Sequence, residues 1–186
     1  VDDRWEDLFA DAEAQFEALR RDEMASEAAD RTRREFALVS LVDRLRGSVG
    51  SELEVWLPDA SLTGVLARVG PDWMALSAGG AREVVIPLAA VVAVEGLSPA
   101  TAADPVGPVE ARMDLRFVLR RLARDRTPVR LALPGGKSLS GTIDRVGRDF
   151  LELAEHSETE PRRARAVRAV RSVPLAALMA VHARVS

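Results

Sequence analysis

The chain of 186 residues has no cysteine and no tyrosine. Without thiols there is no disulfide framework, no thiolate nucleophile and no cysteine-rich zinc site, and a cytoplasmic address fits that composition. Aromatic residues make up only 4% of the chain, and the only imidazoles are His156 and His182. The two histidines are not spaced to complete a metal site, and no serine stands in a Gly-x-Ser-x-Gly setting. Neither enzyme chemistry nor a metal or cofactor is therefore expected. No run of about 18 uncharged apolar residues occurs, and no basic-then-apolar leader opens the sequence, so neither a membrane span nor a signal peptide is expected. Lysine is nearly missing as well: among 26 basic residues only Lys137 is not arginine, which a coding bias toward arginine and alanine explains.

What is present is globular in proportion, 47% apolar and 30% charged, enough for at least one buried core. The formal charge of −3 hides an asymmetry. Residues 1–36 carry 6 basic against 12 acidic residues (−6), residues 37–100 carry 4 against 7 (−3), and residues 101–186 carry 16 against 10 (+6). The front of the chain is acidic and the back basic.

From Asp2 to Arg46 there is no glycine or proline, and the composition predicts one long helix or two joined ones. Trp5, Leu8, Phe9, Ala12, Phe16 and Leu19 fall at steps of three and four, an apolar stripe that must dock on something. The stripe thins from Arg20 to Glu35, returns at Phe36, Val39, Val42 and Leu45, and stops at Gly47 and Gly50. The apolar period then drops from near 3.6 to 2, predicting five short antiparallel strands between Leu53 and Val94 that close into a small barrel. Ser98 to Pro108, with three prolines and no periodicity, reads as a linker.

The stretch Gly141-Thr-Ile-Asp-Arg-Val-Gly-Arg-Asp-Phe-Leu-Glu-Leu153 answers an earlier one, Gly64-Val-Leu-Ala-Arg-Val-Gly-Pro-Asp-Trp-Met-Ala-Leu76. Ile86-Pro-Leu-Ala-Ala-Val-Val-Ala-Val94 is likewise answered by Val173-Pro-Leu-Ala-Ala-Leu-Met-Ala-Val181. Leu115, Val118, Leu119 and Leu122 repeat Leu38, Leu41, Val42 and Leu45, so a leading helix belongs to the repeated unit. The predicted class is α+β, mostly β. A helical arm over 1–36 is followed by a helix-led barrel over 37–97, a linker over 98–112 and a second helix-led barrel over 113–186.

A helix, five bent strands, a glycine turn before an aromatic strand and a proline-containing helical turn before the last strand together resemble the Sm-like family of small barrels. The resemblance implies modules that pair the fourth strand of one with the fifth of the next to close a ring, and RNA bound near the pore or on one face. The RNA-binding positions depart from the family pattern. Gly70 and Gly147 stand where the turn would hold Asp, Met74 or Ala75 and Leu151 or Glu152 where a strand would hold Asn, and Pro87-Leu88 and Pro174-Leu175 where a basic residue and glycine would stand. The implied fold carries over; the RNA chemistry does not carry over residue by residue.

Pro134-Gly-Gly-Lys-Ser138 has part of a phosphate-loop pattern, but Leu131 replaces the first glycine, and a hairpin turn is the expected reading. Asp72 and Asp149 recur in the duplicated turn, where each is expected to bond its own backbone. The arginines carry more weight. Arg116, Arg120 and Arg124 are spaced along the second helix, and Arg162, Arg163, Arg165 and Arg168 enrich the inserted loop and fourth strand, together a candidate contact for nucleic acid or an acidic protein. Trp5, Leu8, Phe9, Phe16 and Leu19 are the candidate helix-docking residues. A non-enzymatic scaffold, bound to a protein partner or to further copies of itself, is the leading expectation; RNA binding through the arginines is the alternative. No small-molecule substrate is implied.

Overall fold

A computed structural model describes residues 17, 20, 24, 27, 30–77, 79, 82–99, 112–156 and 169–184. The chain divides into two compact units, Val1–Ser40 and Leu41–Ser186.

In the first unit, helix α1 covers residues 30–37, and residues 17, 20, 24 and 27 are also helical. Its described side chains face solvent, and Arg33 pairs with Asp30 at 3.0 Å. Leu38 and Val39 donate to the carbonyls of Glu35 and Phe36, three residues back, so the helix tightens and ends there. Of the expected stripe Phe36, Val39, Val42 and Leu45, Phe36 is 62% exposed whereas Leu45 is fully buried, and Leu38 beside it is 86% exposed.

The second unit holds helix α2 (Leu41–Arg46), strands β1 (Glu52–Leu57), β2 (Ala60–Val69), β3 (Trp73–Ser77), β4 (Arg82–Pro87) and β5 (Ala93–Glu95), helix α3 (Leu115–Arg124), and strands β6 (Pro128–Leu133), β7 (Lys137–Val146), β8 (Phe150–Glu155), β9 (Ala169–Pro174) and β10 (Ala180–Arg184). Single 3-10 turns, Leu88–Ala90 and Leu175–Ala177, come directly after Pro87 and Pro174. The strands sit where alternation predicts them, but the architecture differs. The expected pair of helix-led barrels behind a long helical arm is replaced by one open antiparallel sheet of ten strands, ordered β5-β1-β2-β3-β4-β10-β6-β7-β8-β9.

The duplication survives inside that sheet. Each half has its fifth strand beside its first, then its second, third and fourth. The registers agree too: Leu66 faces Leu76 as Ile143 faces Leu153, with a shift at Leu66/Arg68 repeated at Ile143/Arg145. A Cβ at Gly64 would come within 2.7 Å of the Ser77 carbonyl, and one at Gly141 would overlap that of Ala154, so each bent strand needs glycine where it crosses its neighbour. Gly70 and Gly147 lie under the rings of Trp73 and Phe150, where any side chain would collide with the aromatic.

The halves are joined where β10 pairs with β4, Val181 opposite Val85 and His182 opposite Val84. Here β3 is buried on both faces. Trp73, Ala75 and Val85 pack with Leu115, Leu119, Val129, Leu131 and Leu153 in one core cluster, while Met74, Leu76, Val84 and Ile86 join Leu45, Leu53, Val55, Met179 and Ala180 in the other. The two cores thus exchange residues across the junction, which independent barrels would not do.

The helices differ because their starts differ. Asp114 caps α3, its carboxylate accepting from the Phe117 N–H at 2.8 Å. At the repeat spacing of 77, the same place in the first half is Ala37, which has no side-chain acceptor. Helix α2 accordingly runs 6 residues against 10 for α3.

Candidate functional site

Helix α3 carries the most distinctive surface among the described residues. Leu115 and Leu119 face the core, with Val118, Leu122 and Ala123 packed beside them. On the opposite side Arg116, Arg120 and Arg124 succeed one another at steps of four and share a face. Arg116 binds the Asp114 carboxylate through two nitrogens, at 2.9 and 2.7 Å, and Arg124 lies 3.3 Å from Asp125. Burial alone would push the Asp114 carboxyl up. The Arg116 hydrogen bond, the Phe117 N–H and the charges of Arg116 and Arg120 outweigh it and hold the group below its ordinary value.

Phe117 lies among these arginines and is 44% exposed. It puts an aromatic ring on the basic face, at steps of three, four and seven from Arg120, Arg121 and Arg124. Arg162, Arg163, Arg165 and Arg168 lie outside the described residues, as do Trp5, Leu8, Phe9, Phe16 and Leu19.

Helix α3 is fastened to the first half of the sheet at its N-terminus. The Trp73 indole N–H donates to the Met113 carbonyl at 2.7 Å, and the Leu115 N–H donates to the Asp72 carboxylate at 2.8 Å. Asp72 therefore bonds the helix 43 residues away rather than its own turn, correcting the local reading of that side chain. The backbone role is repeated: the Asp72 and Asp149 carbonyls accept from Leu88 and Leu175.

Between α3 and the strands runs a groove of about 440 Å³, lined by Trp73, Val85, Phe117, Val118 and Leu122, with Arg68, Glu83, Arg121 and Asp125 among its charged groups. Sequence spacing cannot reveal it, because its walls are distant in the chain and are brought together by the Asp72 and Trp73 hydrogen bonds and by burial of Trp73, Ala75 and Val85 with Leu115 and Leu119.

The remaining candidates are structural. Pro134 to Gly136 form the tight turn between β6 and β7, and the Gly135 N–H donates to Asp59 at 2.6 Å; no helix comes after it, as a phosphate loop would require. His156 is buried with Thr142, 2.7 Å away. His182 sits within β10, opposite Val84 and Arg130. Among the described residues no group of three or more His, Asp or Glu could hold a metal ion, and no helix is long and apolar enough to cross a membrane. Compared with known proteins, the chain matches no family model and no curated relative.

Proposed function

We propose that the chain is a non-enzymatic scaffold that associates with further copies of itself head to tail, the β9 edge of one copy pairing with the β5 edge of the next. The reading is carried by one observation: surfaces buried at the β4–β10 junction have bare equivalents at the two ends of the sheet. Val84 and Val85 are covered by β10, whereas their counterparts Arg171 and Ser172 are exposed. Trp73 is 6% exposed beneath α3, and Phe150 is 39% exposed. At the other end β5 is an edge strand, and Leu41, the counterpart of Val118, is largely uncovered. An open antiparallel sheet whose two edges are unpaired among the described residues is a template for such pairing, and head-to-tail contacts close into rings or continue as filaments. Kinship of the repeated unit with the Sm-like family, on the residues given above, is part of this reading.

The junction also supplies a register. His182 faces Val84 there; by the strand alignments Glu95 takes the place of His182, and Arg171 that of Val84. Glu95 of one copy thus meets Arg171 of the next, an opposite-charge cross-strand pair. Within one chain Glu95 faces Glu54, a like-charge pair that such docking would relieve. Asp149, the counterpart of Asp72, would face the neighbour's Leu38, the counterpart of Leu115.

The absence of native cysteine makes the test direct. Mixing full-length Glu95→Cys with Arg171→Cys under mild oxidation should give a covalent dimer that neither variant gives alone. Light scattering should show a mass that grows with concentration. A strictly monomeric particle, or cross-linking within either single variant, overturns the reading. RNA binding is the second reading, favoured by the shared face of Arg116, Arg120 and Arg124. It requires retention of an RNA oligonucleotide that falls steeply with salt and is weakened by Arg120→Glu.

A further inference from the structure

The groove beside α3 lies on a different surface from the sheet edges, and its chemistry is specific enough to name an occupant. We infer that it binds an extended segment of a partner protein carrying one bulky apolar side chain flanked by carboxylates.

The floor is apolar. Trp73, Val85, Val118, Leu122 and Ala183 line it beside Thr127, and the Trp73 indole N–H is already bonded to Met113. A volume of about 440 Å³ admits a large side chain with part of its backbone. Phe117 stands at the mouth, an exposed aromatic on a helix whose other exposed positions are arginines. Aromatic residues and arginine are enriched in protein interfaces relative to the rest of the surface.

The charge at the mouth sets the polarity of the partner. Arg68 and Arg121 have side chains 63% and 61% exposed. Their own partners are held loosely: Arg68 is 3.7 Å from Glu83 and Arg121 is 3.7 Å from Asp125, beyond hydrogen-bonding distance. Exposed pairs of this kind contribute little, so both guanidinium groups can turn to a partner's carboxylate at small cost. Between residues 112 and 126 the chain carries Arg112, Arg116, Arg120, Arg121, Arg124 and Arg126 against Asp114 and Asp125 alone, which steers an acidic segment to this wall.

Glu83 and Asp125 disfavour any anion seated between Arg68 and Arg121, and a nucleic acid carries a phosphate at every residue, whereas a peptide need place none inside the groove. A peptide can place its apolar residue on Phe117 and Trp73 and its acids outward toward the arginines.

The test uses the full chain and fluorescein-labelled nonapeptides with a central Phe, Leu or Trp, flanked by Glu in one set and by Lys in the other. A labelled uridine oligonucleotide serves as the nucleic-acid probe. Anisotropy should rise with the acidic set and not with the basic set, and the affinity should fall about tenfold with Phe117→Ala and again with Arg121→Glu. Both side chains are exposed, and circular dichroism of each variant confirms that it is folded. Equal binding of the two peptide sets, no binding of either, insensitivity to both substitutions, or Phe117-dependent binding of the oligonucleotide alone would overturn the inference. Since Glu95 and Arg171 are untouched, loss of peptide binding with intact self-association condemns the groove and leaves the scaffold standing.

Discussion

Trp73 and Phe150 occupy the same place in the two halves, each above its own glycine and each opposite its own proline, yet one is sealed and the other is half open. The difference lies in the elements packed beyond each half of the sheet. Beyond the first half stand β10 and α3, which cover its fourth strand, its aromatic and its turn aspartate. Beyond the second half stands nothing within the described residues. The same end of the repeated unit is thus covered in the first half and uncovered among the described residues in the second, the asymmetry that the proposed head-to-tail association would remove.

That contrast can be broken by paired substitutions. The largest effect is expected from Trp73→Ala, which removes a buried ring and its bond to Met113 and should cost about 3–5 kcal/mol. Phe150→Ala should cost the monomer about 1 kcal/mol or less, as for a partly exposed residue. Chemical denaturation of both at a concentration where the chain is monomeric checks the pair, and equal losses would remove the asymmetry. Thr142→Val comes next. It takes a partner from buried His156 and should cost about 1–3 kcal/mol, whereas the equivalent first-half position is already Val65, 43% exposed. Asp72→Ala deletes the carboxylate that holds Leu115 and should cost about 1 kcal/mol. Asp149→Ala should leave monomer stability unchanged and weaken assembly instead, a split that thermal melts and light scattering together can read.

The smallest effect sharpens the comparison through pH. The Asp114 carboxyl is held below its ordinary value of 3.8, so its contribution is complete above that value and is lost as pH falls through the folded-state value. Asp114→Asn should flatten that acid limb of the stability curve. No such limb arises at the first-half counterpart, Ala37, which cannot titrate. Denaturation midpoints measured from neutral pH downward would show the difference.

Much of this molecule is visible in its residues taken locally. Alternation at Leu53, Val55 and Leu57 gives a strand with one buried face. The recurrence of Gly70 with Trp73 and of Gly147 with Phe150 marks a turn folded under a ring, and Arg116, Arg120 and Arg124 share a helix face because they stand four apart. The groove is not visible in this way, since Phe117 is an ordinary helix residue until Trp73 and Val85 are brought opposite it. Asp72 reads locally as a turn residue, because its acceptor role depends on a helix 43 residues away.

The sequence by itself determined where the strands, their turns and helix α3 fall and that the unit occurs twice, because side-chain periodicity, glycine sterics and helix capping act over a few residues. Only the tertiary structure decided that the fourth-to-fifth strand pairing, which the Sm-like resemblance implies between modules, here joins β4 to β10 within one chain, giving one open sheet instead of two closed barrels. Backbone hydrogen bonds are nearly the same for every residue, so an edge strand does not name its neighbour. The choice is made by side chains far apart in the chain, Trp73 and Val85 from one half and Leu115, Leu119 and Leu131 from the other, that are buried together only when the halves join.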